Sequence, residues 1–225
     1  MQNVGGKNKK TYARDAQHYC IGIDEAGRGP LAGSVYAGAV MLPASYRALF
    51  KKTNAPKKLA DSKKLSPSQR EAWFAWMKKN GIAYGHGAVS SSRIDRMNIA
   101  RASDMAAQRA FEQLRSRRVI TAAQVVADGG LSVRVSEGFS FKHFPKADER
   151  VVAVSLASIV AKVLRDRYMR RMHSMYPDYG FDIHKGYGTR MHYIALRRYG
   201  PSLIHRLTFL GSLRTMEQKE RGSNR

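Results

Sequence analysis

Tyr19-Cys20-Ile21-Gly22-Ile23-Asp24-Glu25-Ala26-Gly27-Arg28-Gly29 carries the first decision about the fold. Tyr19 to Ile23 is a short strand-like run, and it ends in two acids followed by glycines. Side chains on a regular strand alternate between its faces, so Asp24 and Glu25 can share one site only where the strand twists or ends. Gly27 and Gly29 permit such an ending. Gln124 to Ala127 is a second short apolar strand, and it runs into Asp128-Gly129-Gly130. Two strands therefore deliver acids at their ends.

Working outward, Ser34 to Leu42 reads as a longer strand closed by Pro43, Ile82 to Ser90 as a glycine-rich strand, and Gly138 to Phe144 as a fifth. Ser66-Pro67-Ser68-Gln69 has the form of a capping box and opens a helix through Trp73, Trp76 and Met77 that Asn80-Gly81 ends. Ser92-Arg93-Ile94-Asp95 has the same form and predicts one long helix to about Leu114. A second long helix is predicted from about Asp148 to Met172, and a shorter one from Thr189 to Tyr199, stopped by Gly200-Pro201. Ala153, Ala157 and Ala161 recur at four-residue steps, a flat stripe suited to close packing on a sheet. The order predicts an α/β domain, a mixed sheet covered by helices, over residues 19–212. Residues 1–18 read as a flexible basic arm and 213–225 as a short charged tail.

The charge balance names a class of partner. Lys and Arg total 40 against 17 acids, a formal charge of +23, and such a surface attracts polyanions, nucleic acid first among them. By charge alone a non-catalytic RNA-binding protein fits as well as an enzyme. The single cysteine, Cys20, excludes an intrachain disulfide and a four-cysteine zinc site, and suits a reducing, cytoplasmic setting. No apolar run is long enough to span a bilayer, and the polar N-terminus argues against a secretory signal.

With so few acids in a basic chain, their placement is informative. Asp24, Glu25, Asp128 and Asp148 all fall at element ends and could gather at one sheet edge. Together they would repel one another unless a hard cation such as Mg²⁺, which favours oxygen ligands, lies between them. Singly, each has an ordinary alternative: a loop pair at Asp24-Glu25, a turn at Asp128, a helix N-cap at Asp148. Asp166 lies four residues from both Lys162 and Arg170 and reads as part of an ion-pair network on the helix surface.

Five ordered blocks between about Cys20 and Leu210 resemble ribonuclease HII, of the type 2 ribonuclease H family. They are Asp24-Glu25-Ala26-Gly27-Arg28-Gly29-Pro30-Leu31-Ala32-Gly33; Asp61-Ser62-Lys63-Lys64-Leu65-Ser66; Asp128-Gly129; Lys146-Ala147-Asp148 with Ala157 to Asp166; and His184-Lys185-Gly186-Tyr187, backed by His205-Arg206. Ser34 departs from the proline common at its position.

The resemblance implies a ribonuclease H-like fold with a five-stranded mixed sheet flanked by helices. It also implies Asp24, Glu25, Asp128 and Asp148 as catalytic, metal-binding carboxylates, with Mg²⁺ or Mn²⁺ as cofactor and two ions during catalysis. The implied substrates are RNA–DNA hybrids and duplex DNA with single embedded ribonucleotides, cut 5′ to the ribonucleotide to leave a 3′-hydroxyl and a 5′-phosphate. That chemistry would serve ribonucleotide removal from DNA, by a monomer. Gly27, Arg28 and Gly29 would meet the ribose 2′-hydroxyl and a phosphate, and Lys63, Lys64, Ser158, Lys162 and Lys185 would contact phosphates. Tyr187 resembles the tyrosine that packs on the following deoxyribose, where a ring leaves no room for an extra hydroxyl. A ribonuclease H-fold nuclease of another kind, such as a resolvase, would share the carboxylates but needs no ribose sensor.

Overall fold

β1 (Tyr19–Ala26) runs on through both acids in unbroken register with β2 (Val35–Pro43), Asp24 opposite Gly38 and Glu25 opposite Ala37. Because the pairing extends to Ala26 and Tyr36, the strand does not stop at the acids. β3 (Tyr84–Val89) pairs antiparallel with the far side of β2. β4 (Ala123–Asp128) and β5 (Phe139–Phe144) lie parallel to β1 on its other side, which gives the order β3-β2-β1-β4-β5. This is the expected mixed five-stranded sheet. The computed structural model describes residues 19–56, 59, 65–118 and 120–211. The arm 1–18, the tail 213–225 and the pair Lys63 and Lys64 lie outside the described residues.

The helices are α1 (Tyr46–Lys52), α2 (Pro67–Lys79), α3 (Ser91–Met97), α4 (Ile99–Arg117), α5 (Ala147–Arg150), α6 (Val152–Met175), α7 (Phe181–His184) and α8 (Arg190–Tyr199). α4 covers one face of the sheet, where Ala106, Ala110 and Phe111 meet Ile21, Ile23 and Ala37. α6 and α2 cover the other, where Ala157, Val160 and Trp73 meet Val40 and Leu42.

The alanine stripe of α6 works by meeting glycine. A Cβ on Gly22 would stand 2.1 Å from the Ala153 carbonyl carbon, and one on Gly38 would stand 2.3 Å from the Ala157 oxygen. The helix backbone thus rests directly on the sheet backbone, nearer than any side chain allows. Gly38→Val should force α6 outward and cost about 1–3 kcal/mol, the usual penalty of overpacking. Calorimetry should then show a melting temperature lower by about 4–10 °C, whereas a change of about 1 °C or less would mean that the sheet yields freely.

Two long helices expected as continuous are each divided. The first breaks at Asn98, which adopts φ 69° and caps the following helix by accepting from the Arg101 N–H at 3.1 Å. Asparagine tolerates this left-handed conformation better than most residues. The expected capping box at Ser92 does not form, because Ser90 is the N-cap and Asp95 accepts instead from the Leu207 and Thr208 N–H groups at 2.9 and 3.0 Å. The second helix breaks at Val151, which is extended, so Asp148 sits in the separate turn α5. The capping box at Ser66 does form: Ser66 Oγ accepts from the Gln69 N–H at 3.3 Å, and Gln69 Oε1 accepts from the Ser66 N–H at 2.8 Å. α1 was not foreseen; it buries no residue and so has little hydrophobic period to read.

Candidate functional site

Parallel register between β1 and β4 sets Ile23 beside Ala127, so the next residue of each strand, Asp24 and Asp128, lies at the same sheet edge. Asp128 Oδ1 accepts from the Ala147 N–H at 2.7 Å, and this bond ties α5, with Asp148, to the end of β4. Ser155 Oγ donates to the Asp148 carbonyl at 2.6 Å and fixes that turn to α6. Ligand oxygens of Asp24, Asp128 and Asp148 come within 4.8 Å of one another. Asp24 and Asp148 are buried, at 5% and 2% exposure.

Glu25 stands outside this group of three. It borders the groove that Lys162 and Arg165 of α6 also line, and Arg28 Nη1 pairs with it at 3.5 Å. Glu25 and Asp128 still lie close enough that their charges raise the Asp24 pKa.

Burial, and then the charge of Glu25, push the Asp24 pKa up to about 8. The Glu25 N–H donates to Asp24 Oδ1 at 2.7 Å and offsets part of this. The Ser158 hydroxyl, wholly buried in α6, also favours the Asp24 anion, although it makes no hydrogen bond of ordinary geometry. Burial also raises the Glu25 pKa, with Arg28 opposing. Asp24, whose anion burial disfavours, stands beside two further carboxylates and a buried hydroxyl, and this set fits a hard divalent cation.

The pH dependence has a definite sign. Between the ordinary value of 3.8 and about 8, the folded protein holds a proton on Asp24 that the unfolded chain has released. Its contribution to stability is therefore lost as pH rises through that window. The metal-free protein should melt at lower temperature at about pH 8 than at about pH 5, by more than Asp24→Asn does over the same range. Parallel pH–melting curves for the two proteins would contradict this.

A groove of about 620 Å³ opens beside the acids. Its lining includes Glu25, Gly27, Arg28, Gly29, Lys162, Arg165, Lys185 and Tyr187, so most expected substrate contacts share one surface. Tyr187 is 49% exposed, with the Arg165 guanidinium 5.7 Å from its ring centre, and is not a core residue. Gly27 needs its glycine, since φ is +92° and a Cβ would strike Arg165 Nε at 2.0 Å. Gly29 faces open space with nothing within 4 Å, so packing does not explain that glycine. A second cavity, at the start of β1 near Tyr19 and Ile82, has no acid in its lining.

Two expectations about α6 need correction. Ser158, expected to contact a phosphate, is wholly buried and has no surface to offer one. Asp166 pairs across to Arg70 of α2 at 3.3 Å, rather than along its own helix to Arg170. Arg170 turns to Glu71 at 3.3 Å, because α2 packs close by and presents both opposite charges.

Sequence reasoning missed two residues that shape the groove. Arg206, fully buried, donates to the carbonyls of Gly27 at 2.6 Å, Arg28 at 2.7 Å and Gly33 at 2.8 Å. Arg165 donates to the carbonyls of Ser34 at 3.2 Å, Ala32 at 3.3 Å and Lys185 at 2.9 Å. Burial lowers both pKa values, that of Arg206 to about 9. The motif placed both residues in family blocks, yet nothing local marked them as buried.

The family model for Ribonuclease HII matches residues 21–211. Ribonuclease HII of Syntrophobacter fumaroxidans is 44% identical over 225 residues, covering 95% of this chain and 90% of that one. Ribonuclease HII of Chlamydia muridarum is 42% identical over 202 residues, covering 89% and 84%. Among solved structures, one from the PCNA:RNase HII complex of Archaeoglobus fulgidus aligns with TM-score 0.64 and 24% identity over 83% of this chain and 93% of that one. Bst-RNase HIII, solved in complex with Mn²⁺, aligns with TM-score 0.68 and 15% identity over 98% and 76%. At these identities the structural likeness bears on the fold alone, and that fold is the expected ribonuclease H-like one. The chain belongs to the ribonuclease HII family: it is a ribonuclease H-type endoribonuclease, a metal-dependent hydrolase acting on nucleic acid.

Proposed function

We propose that this enzyme cuts the phosphodiester 5′ to a ribonucleotide, in RNA–DNA hybrids and in duplex DNA carrying a single ribonucleotide. The observation that carries this reading is the adjacency of the acid cluster to a groove lined by both Gly29 and Tyr187. Asp24, Asp128 and Asp148 would hold Mg²⁺ or Mn²⁺, with Glu25 completing the set when a second ion enters. Divalent ions there supply Lewis acidity, which lowers the pKa of water and offsets charge on the phosphate.

The chain's own residues do the rest. Gly29 leaves the backbone open to close approach, and main-chain groups of Gly27-Arg28-Gly29 can bond a 2′-hydroxyl, the one group that separates RNA from DNA. Arg28, Lys162 and Lys185 hold phosphates, as Lys63 and Lys64 would in the same reading. Ser158 orients Asp24. Tyr187 lies against the next sugar and favours deoxyribose there. Water adds to phosphorus as the bond to the preceding O3′ breaks, leaving a 3′-hydroxyl and a 5′-phosphate.

This reading makes the protein a monomeric cytoplasmic enzyme of ribonucleotide removal. No helix among the described residues is long and apolar enough to cross a membrane. The test is a nicking assay on duplex DNA with one internal ribonucleotide, with Mg²⁺, Mn²⁺ or EDTA, beside an all-DNA duplex. Metal-dependent cutting confined to the 5′ side of the ribonucleotide is expected. Cutting of the all-DNA duplex would point to a different nuclease on the same fold, and binding without cutting to a hybrid-binding protein.

A further inference from the structure

Behind Tyr187 lies a buried group of three histidines, His184, His192 and His205, that no step above uses. Their exposures are 7%, 0% and 3%. His184 stacks on His192 with ring centres 4.4 Å apart, and Phe181 sets its ring edge-on to both. His192 Nε2 and His205 Nε2 are 2.9 Å apart.

Backbone partners fix where every proton lies. His205 Nδ1 accepts from the Ser202 N–H at 2.8 Å, so its proton is on Nε2. His192 Nδ1 donates to the Tyr187 carbonyl at 2.9 Å, so its Nε2 is free to accept from His205. His184 Nδ1 accepts from the Gly186 N–H at 3.1 Å, and its Nε2 donates to the Tyr179 carbonyl at 2.6 Å. Each ring is neutral, and one directed chain runs from Ser202 through His205 and His192 to Tyr187. A ring with two protons would bring N–H against N–H.

The far end of that chain holds the other wall of the groove. Arg206, next to His205, clamps the Gly27 and Arg28 carbonyls, and its N–H donates to the Leu31 carbonyl at 2.8 Å. The Leu31 N–H donates to the Gly186 carbonyl at 2.8 Å. Tyr187 and the Gly27-Arg28-Gly29 loop are thus referenced to one rigid unit.

We infer that His192 and His205 are positioning residues which hold the Tyr187 backbone, and with it the ring in the groove, in register with the Gly27-Arg28-Gly29 loop, and so set the enzyme's preference for deoxyribose after the ribonucleotide. The inference rests on the reading of Tyr187 given above. Burial, followed for His205 by the neighbouring His192, pushes the pKa of His192 and His205 down to about 4, as neutral rings require. The facing charged side chains, Asp182 and Lys185 beside His184, act in opposite senses.

The measurement is junction preference: the rate of cutting at an RNA-to-DNA junction divided by the rate within an uninterrupted RNA strand of a hybrid. Tyr187→Ala should abolish it. His192→Phe should lower it by about tenfold or more, the scale of loss that small misplacements cause. His192→Asn, whose amide nitrogen can stand where Nδ1 stood, should keep it within about threefold of the parent. Unchanged preference in Tyr187→Ala would overturn the reading of Tyr187 and the inference with it. Preference lost in Tyr187→Ala but kept in His192→Phe would overturn the inference alone, as would equal loss in His192→Phe and His192→Asn. Should His192→Phe fail to fold, long-range ¹H–¹⁵N spectra of the parent decide: His192 protonated on Nδ1, with His184 and His205 on Nε2, is expected, and any other pattern overturns it.

Discussion

Asp128→Asn should lower the rate of hydrolysis about a thousandfold while leaving the fold and duplex binding intact. The substitution separates two tasks of one side chain. As a tether, Asp128 accepts the Ala147 N–H at 2.7 Å, and an asparagine oxygen can do the same. As part of the cluster within 4.8 Å of Asp24 and Asp148, it contributes negative charge, and the amide replaces that charge with a neutral group. Several kcal/mol of charge stabilisation depend on holding a divalent ion, and each 1.36 kcal/mol is about tenfold in rate. Nicking kinetics give the rate, and fluorescence anisotropy with labelled duplex in EDTA gives the binding. Activity above about a tenth of the parent's would mean that Asp24 and Asp148 hold the ion without it.

Arg206→Met should be the most damaging single change to stability among residues that touch no substrate. Its guanidinium satisfies the Gly27, Arg28 and Gly33 carbonyls, which lie in a loop rather than in a ladder. Each buried acceptor left without a donor costs about 1–3 kcal/mol, so a total of about 3–5 kcal/mol is reasonable after relaxation. For a domain of this size that is a fall of about 10–15 °C in melting temperature. Arg206→Lys should recover little of it, because one ammonium cannot reproduce a planar fork that serves carbonyls on two sides. Calorimetry of both variants checks this, and a lysine variant within about 3 °C of the parent would show that charge, not the fork, matters there.

The two acid-tipped strands were legible because their apolar runs end sharply in Asp24 and Asp128, and a mixed sheet covered by helices followed from the alternation of elements. The Ser66 cap was legible because its partners are three residues apart. Asn98 and Val151 were not, since both breaks depend on what the chain meets in three dimensions: Asp95 is drawn off by Leu207 and Thr208, and α5 is pinned by Asp128. Placement at element ends allowed Asp148 to meet Asp24 but equally allowed a helix cap, and the family resemblance decided between them. Arg165 and Arg206 were hidden by composition. In a chain with 40 Lys and Arg, nothing in the sequence says which guanidinium will be buried against carbonyls more than 130 positions away.

The parallel pairing of β1 with β4 also has a consequence for the order of events on the ribosome. β1, β2 and β3 form an antiparallel meander over residues 19–89 that can pair soon after it is made. Ile23 must wait for Ala127, and Asp24 for Asp148, before the carboxylates converge. Non-local parallel pairing closes late because its loop must be ordered first. The growing chain therefore passes most of its synthesis beside ribosomal RNA with its acids apart, and the nuclease centre is assembled only by the segment that also finishes the sheet.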